Sequence, residues 1–243
     1  MKKTGYIALI DVLGAREFNI DWAVDFIEKR DEIIKKANQH YNKMISSMSL
    51  NFKLPTPEIA TFGDSIVFAW DVGYDLKYKA LHLTTFWLSP LIRLGLANDL
   101  MFRGAMAFGD YIFDNKTNTI LGPAISDVAS WYEEANWLGI IATPQCCFLI
   151  KAFNEDIIKK LGAVDTNQWF IEYPVPLKAG KVTTLFALNW PKQLFENAKD
   201  ITAKGALSIS FERNIPKGTE DKYFNSMSFL EFCAKSQKTE IHY

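Results

Sequence analysis

Apolar residues along this chain recur at two different periods, and the change from one to the other lays out its elements. Thr4 to Val12 is a short apolar run followed by a glycine turn, the pattern of a buried strand. From Asp21 to about Met48, the residues Trp22, Phe26, Ile33, Ala37, Tyr41, Met44 and Met48 recur at helical spacing, with the charges of EKRDEIIKK on the other face. A loop containing Pro55 and Pro57 leads to Glu58–Trp70, where two apolar strands flank Gly63-Asp64. That dipeptide suits a two-residue hairpin turn, because glycine accepts positive φ without a steric penalty.

Leu76 to Ala97 predicts a second helix, disturbed near Pro90. Leu100 to Tyr111 predicts a strand whose glycines imply close backbone approach or a bulge. Asp114 to Thr119 is a turn, and the stretch beginning at Ile120 enters a helix with Pro123 in its first turn, ended by Gly139 before the short apolar piece IIAT. In the last third, Asn167 to Trp190 reads as two strands around a loop, and Phe224 to Ala234 as a closing helix.

The order strand, helix, hairpin, helix, strand, helix, strand predicts an α+β fold with a mostly antiparallel sheet flanked by helices. In a ferredoxin-like arrangement the first strand is expected beside the first half of the hairpin, which brings Asp11 and Asp64 together. One domain is expected across residues 1–243.

Composition narrows the function. With 49% hydrophobic residues, 27 Lys and Arg against 28 Asp and Glu, and a net charge of −1, the chain can bury a full core and lacks the basic footprint of a nucleic-acid binder. Cys146, Cys147 and Cys233 form neither a disulfide ladder nor a CxxC knuckle, so free thiols in a cytoplasmic protein are expected. The apolar start is short and broken by Asp11, so no signal peptide is expected, and no run reaches the ~18 apolar residues that a membrane span needs.

Asp11 and Asp64 carry the candidate chemistry. Each stands where an apolar strand ends, a place where capping alone is a sufficient reason for aspartate. Brought together, two such carboxylates can hold a pair of Mg²⁺ or Mn²⁺ ions, with the Val12 carbonyl completing a shell of hard oxygens. Gly14 would let the backbone N–H groups of Leu13, Gly14 and Ala15 face phosphate oxygens. Other candidates are weaker. His40, His82 and His242 show no ligand spacing, Cys146 and Cys147 have no evident base, and Asp110 and Asp114 flank a turn.

The stretches LIDVLGA, ATFGDS and FRGAMAFGD, followed by ILGPAISDVASW, resemble the catalytic core of class III nucleotidyl cyclases over roughly residues 6–143. GPAISDVASWYEEANWLGI and YPVPLKAGKVTTLFALNWP resemble more closely the pyrimidine cyclases of the bacterial Pycsar anti-phage system. The resemblance implies a ferredoxin-like cyclase core at about 4–190, a family-specific extension at about 191–243, and a head-to-tail homodimer with active sites at the interface. It implies that UTP, or alternatively CTP, is converted to a 3′,5′-cyclic monophosphate and pyrophosphate, and that the product activates a separate effector in anti-phage defence.

By the same resemblance, Asp11 and Asp64 would bind both metal ions with the Val12 carbonyl. Ala60 and Thr119 stand where purine cyclases carry their base readers, which argues against a purine substrate. The family's transition-state Asn and Arg are missing, with Ser126 or Asp127 and Ser130 or Trp131 in their places. Arg103 is the first candidate to compensate, since a guanidinium fork suits a phosphate or a pyrimidine carbonyl, and Arg16 is the second. A polymerase-palm relative and a catalytically silent nucleotide-binding module are the competing readings.

Overall fold

The computed structural model describes residues 1–13, 20–47, 54–161, 169–192 and 218–239. Its elements are β1 (Lys2–Val12), α1 (Ile20–Ser47), β2 (Glu58–Phe62), β3 (Ser65–Asp71), α2 (Lys77–Ala97), β4 (Phe102–Asp114) and β5 (Thr119–Leu121). They continue with α3 (Pro123–Trp131), β6 (Gly139–Ala142), α4 (Pro144–Leu161), β7 (Phe170–Pro176), β8 (Val182–Leu188) and α5 (Glu220–Thr239). The molecule is α+β, with an open, mostly antiparallel sheet flanked by helices.

The eight strands run in the order β2-β3-β1-β4-β6-β8-β7, with β5 pairing β4, and the β4–β6 pair is parallel. β1 lies between β3 and β4, antiparallel to both. The expectation that β1 would lie beside the first half of the hairpin is corrected here, since its neighbour is the second half, β3. A βαβ crossover that keeps β1 and β2 parallel leaves room between them for one antiparallel strand, and the hairpin supplies it.

β1 is buried from Tyr6 to Val12, as a strand covered on both faces must be. Successive β4 residues face opposite sides. The Phe102 ring lies at Gly95 of α2 and Met106 Sδ meets Thr84 of α2, while Gly109 lies against Ala124 of α3. Arg103, in phase with Gly109, therefore points away from α1 and α2. Gly104 permits the close β1–β4 approach expected of this strand, because a Cβ there would come within 2.3 Å of the Leu9 carbonyl oxygen.

One core unites the described elements. Phe68, Trp70 and Trp87 form an aromatic cluster beneath α2, and Trp137, Tyr173 and Phe229 form another that ties α5 to β7. Trp22 stacks on Phe26, and Trp131 is only partly buried. Pro174 and Pro176 are tolerated because β7 is the sheet edge.

Two boundaries depart from expectation. α3 ends at Trp131 instead of running to Gly139, because Asn136 and Ala135 engage Pro176 and Leu177 as extended backbone. α4, absent from the expected order, follows Pro144, and Cys146, Ile150 and Phe153 bury its inner face. The closing helix is longer than expected, and residue 48 of the first helix lies outside the described residues. Among the described residues no helix is long and apolar enough to cross a membrane.

Candidate active site

The site forms where β1 ends. Asp11 and Arg103 stand directly opposite each other on neighbouring antiparallel strands, so their side chains share one face. Arg103 Nη2 and Nε donate to Asp11 Oδ2 at 3.0 and 3.4 Å, and Nη1 donates to the Glu133 carbonyl at 3.2 Å. Both residues are buried, at 7% exposure for Asp11 and 6% for Arg103. A buried carboxylate requires such a partner, since an uncompensated charge in the interior is far more costly than a paired one.

Asp64 arrives from the other side. The β1–β3 ladder ends at Ile10–Ile66, and Gly63, at φ 59°, turns the hairpin so that Asp64 lies just beyond that last pair. The hairpin brings the Asp64 carboxyl close enough to that of Asp11 for the two to interact directly. Partial burial first, and then the Asp11 carboxylate, push Asp64 up to about 6, while Arg103 draws it back only in part. Two carboxylates held this close favour a shared proton or a cation.

The donor set fits a hard divalent ion. Leu13 N–H donates to the Met101 carbonyl at 2.8 Å, which makes Leu13 and Met101 a hydrogen-bonded pair. By antiparallel alternation, the Val12 carbonyl then points away from β4, toward the side on which Asp64 lies. Asp11, Asp64 and the Val12 carbonyl thus offer oxygens at one corner, as Mg²⁺ or Mn²⁺ prefers. Among the described residues there is no group of three or more His, Cys, Asp or Glu side chains able to hold a metal, so the remaining oxygens would come from ligand or solvent.

The same hydrogen bond corrects one expectation. The Leu13 amide is committed to the β1–β4 pairing and does not face a phosphate. Gly14, Ala15 and Arg16 lie outside the described residues. Ala60 is buried in β2, and Thr119 is exposed at the start of β5 with its hydroxyl on the Thr117 carbonyl. The neighbours of these two positions meet, since Asn118 Nδ2 donates to the Thr61 carbonyl at 3.4 Å. Asp127 accepts from the Thr143 hydroxyl at 2.6 Å, and the Ser130 hydroxyl donates back to Ser126 within α3. Asp110 is engaged by Lys2 and Thr4, and Asp114 caps its own turn, as its turn position predicts.

Sequence reading missed the residues that complete the corner. Tyr132 OH donates to Glu133 Oε1 at 2.9 Å, and Lys178 Nζ pairs with Glu133 Oε2 at 3.0 Å. Burial first, then the Glu133 carboxylate, push the Tyr132 phenol up to about 12, with Asp11 contributing further. Lys178 holds Glu133 below the usual carboxylate range. Tyr132 and Glu133 reach the corner because α3 stops early, and Lys178 because the turn after β7 folds back, with Lys178 N–H on the Glu134 carbonyl. The pairing of an early helix stop with a strand-end turn left no signature in the sequence.

Comparison of the chain with models of known protein families finds no match, and comparison with curated proteins finds none either.

Proposed function

We propose that the chain is a metal-dependent pyrimidine nucleotide cyclase, converting UTP to 3′,5′-cyclic UMP and pyrophosphate, with CTP to cyclic CMP as the alternative. The observation that carries the reading is the meeting of Asp11 and Asp64 at the end of the central strand. The order β2-β3-β1-β4 supports it, because one antiparallel strand inserted between the parallel β1 and β2 is the split βαβ pattern that the reading expects. In the reaction the ribose 3′-oxygen attacks the α-phosphorus, the bond to the β-phosphate oxygen breaks, and the hydroxyl proton passes to solvent. Divalent ions held by Asp11, Asp64 and the Val12 carbonyl would acidify the 3′-hydroxyl and neutralise the triphosphate.

The chain's own residues set up that chemistry. Arg103 fixes Asp11 in place, so it acts as a positioning residue and not as the cation that meets the substrate. Lys178 is the better candidate for that role. Its side chain is 42% exposed and, among the described residues, pairs through Nζ with Glu133 alone, so it can turn from Glu133 to a phosphate. A head-to-tail homodimer, with a cyclic-nucleotide-responsive effector in anti-phage defence, belongs to the same reading.

One observation favours a second reading, that of a silent nucleotide-binding module: Arg103 already occupies one oxygen of Asp11. Incubation with each of ATP, GTP, CTP and UTP, with Mn²⁺ or Mg²⁺, separates the two. A cyclic pyrimidine monophosphate formed only with metal is the expected product, and nucleotide binding with no product from any of the four would overturn the cyclase reading.

A further inference from the structure

A cavity of about 340 Å³ lies where the sheet has a gap. β6 pairs with β4 only from Arg103 to Met106, and β5 only from Ile112 to Asp114, so between them that edge of β4 has no partner strand. Odd-numbered β4 residues bond to β1, in step with the Leu13–Met101 pair, and on the other edge the Thr143 N–H closes on the Met106 carbonyl at 2.9 Å. By the same alternation, the N–H and C=O groups of Phe108 and Asp110 face the gap. Both residues are half-buried there, and backbone groups withdrawn from water call for partners.

The other walls supply one charge of each sign. Lys77, at the start of α2, lines the cavity with its Nζ 5.0 Å from the centre of the Tyr78 ring, and among the described residues it makes no ion pair. Asp127 of α3 lines it too, with Oδ2 accepting from the Thr143 hydroxyl at 2.6 Å. Asp110 is already neutralised by Lys2 at 2.8 Å. The first turns of α3 and α4 also border the space, and helix-start N–H groups favour a carboxylate. Tyr74, edge-on to Phe108 at 5.6 Å, and Leu149 add apolar surface. A polyphosphate would meet Asp127 here and a simple cation would meet Lys77, each a costly like-charge contact. A zwitterion meets neither cost.

We propose that this cavity binds a free α-amino acid with an apolar side chain, its carboxylate on Lys77, its ammonium group on Asp127 and its side chain beside Tyr74 and Leu149. The volume is at the lower end for small-molecule sites and suits a ligand of this size. The strand edge at Phe108 offers the same mixture of donors and acceptors that an amino acid presents. Along β4 the cavity is about 20 Å from Arg103, at ~3.3 Å per residue, so the site is separate from the Asp11 corner and does not depend on the cyclase reading.

The test is isothermal titration calorimetry of the full chain with L-leucine, L-methionine, L-phenylalanine and L-tryptophan. The tightest binder is then compared with the amine that lacks its carboxylate and the acid that lacks its ammonium group. Saturable binding of at least one amino acid is expected, weakened at least about tenfold by loss of either charge from the ligand and by Lys77→Met or Asp127→Asn in the protein. Lys77 is half-buried at the surface, so Lys77→Met should keep the parent's circular dichroism. Asp64→Asn should bind as the parent does. No binding of any of the four at millimolar concentration, a singly charged analogue that binds as tightly as its amino acid, or equal affinities for the parent and Lys77→Met would overturn the proposal.

Discussion

The Asp11 corner and the α1–α2 groove present like charges in two ways. At the corner, two carboxylates converge and the fold answers them from within, because Arg103 stands opposite Asp11 and shares its burial. In the groove, Lys36, Lys43, Arg93 and His40 line one open concavity, with Lys36 paired to Glu32 one turn away and Arg93 Nε directed to the Ser89 carbonyl. Charge buried beneath a sheet must be compensated during folding, whereas charge at the rim of a groove is hydrated. The first region therefore joins function to stability, and the second can be altered with little effect on the fold.

The largest expected effect tests the functional half of that contrast. Asp64→Ala, or removal of divalent ions, should lower cyclic nucleotide formation by more than about a hundredfold, the upper end of what losing a residue that merely orients a ligand costs. Asp64 is only partly buried, so circular dichroism and oligomeric state should stay as in the parent. Retained turnover in this variant would remove the metal role from the corner.

Next in size is the stability of the buried pair. Arg103→Ala leaves Asp11 buried without its guanidinium and should cost about 3–5 kcal/mol in denaturant unfolding. Asp11→Ala strands Arg103 in the same way, so it should lower both turnover and stability. The combined Asp11→Ala, Arg103→Ala variant should unfold at a denaturant concentration well above that expected from adding the two single losses. Strict additivity would mean that the pair is not coupled. Lys178→Met, by contrast, should raise the KM for UTP with little change in unfolding, because Lys178 is half-exposed.

The smallest effects are in pH dependence, and the two regions should differ in sign. The carboxyl of Asp64 is raised in the folded state, so in metal-free protein its contribution to stability is fullest below the ordinary value of 3.8 and is lost as pH rises through about 6. His40 is lowered from 6.5 by burial and by Arg93 and Lys43, with Lys36 on the same rim, so its contribution is full above 6.5 and is lost as pH falls below that value. Each effect should be under about 1 kcal/mol for groups this exposed. Asp64→Asn should flatten the first limb and His40→Gln the second, read from thermal midpoints across pH 4–8. A limb that persists in its own variant would assign the titration elsewhere.

The sequence by itself determined a good deal. Periodicity located β1, α1, the hairpin, α2, β4 and the paired strands β7 and β8, because burial on one or two faces imposes a repeat that a short window can register. It also singled out Asp11 and Asp64, since a charge ending an apolar run is visible without any partner. The tertiary structure decided what those charges meet. Insertion of β3 between β1 and β2, the cross-strand placement of Arg103, the early stop of α3 that delivers Tyr132 and Glu133, and the turn that returns Lys178 all depend on contacts between distant segments. So does the groove, which the packing of α2 against the polar face of α1 creates. Local pattern reports which face of an element seeks water, and the closing of the chain decides which faces find one another.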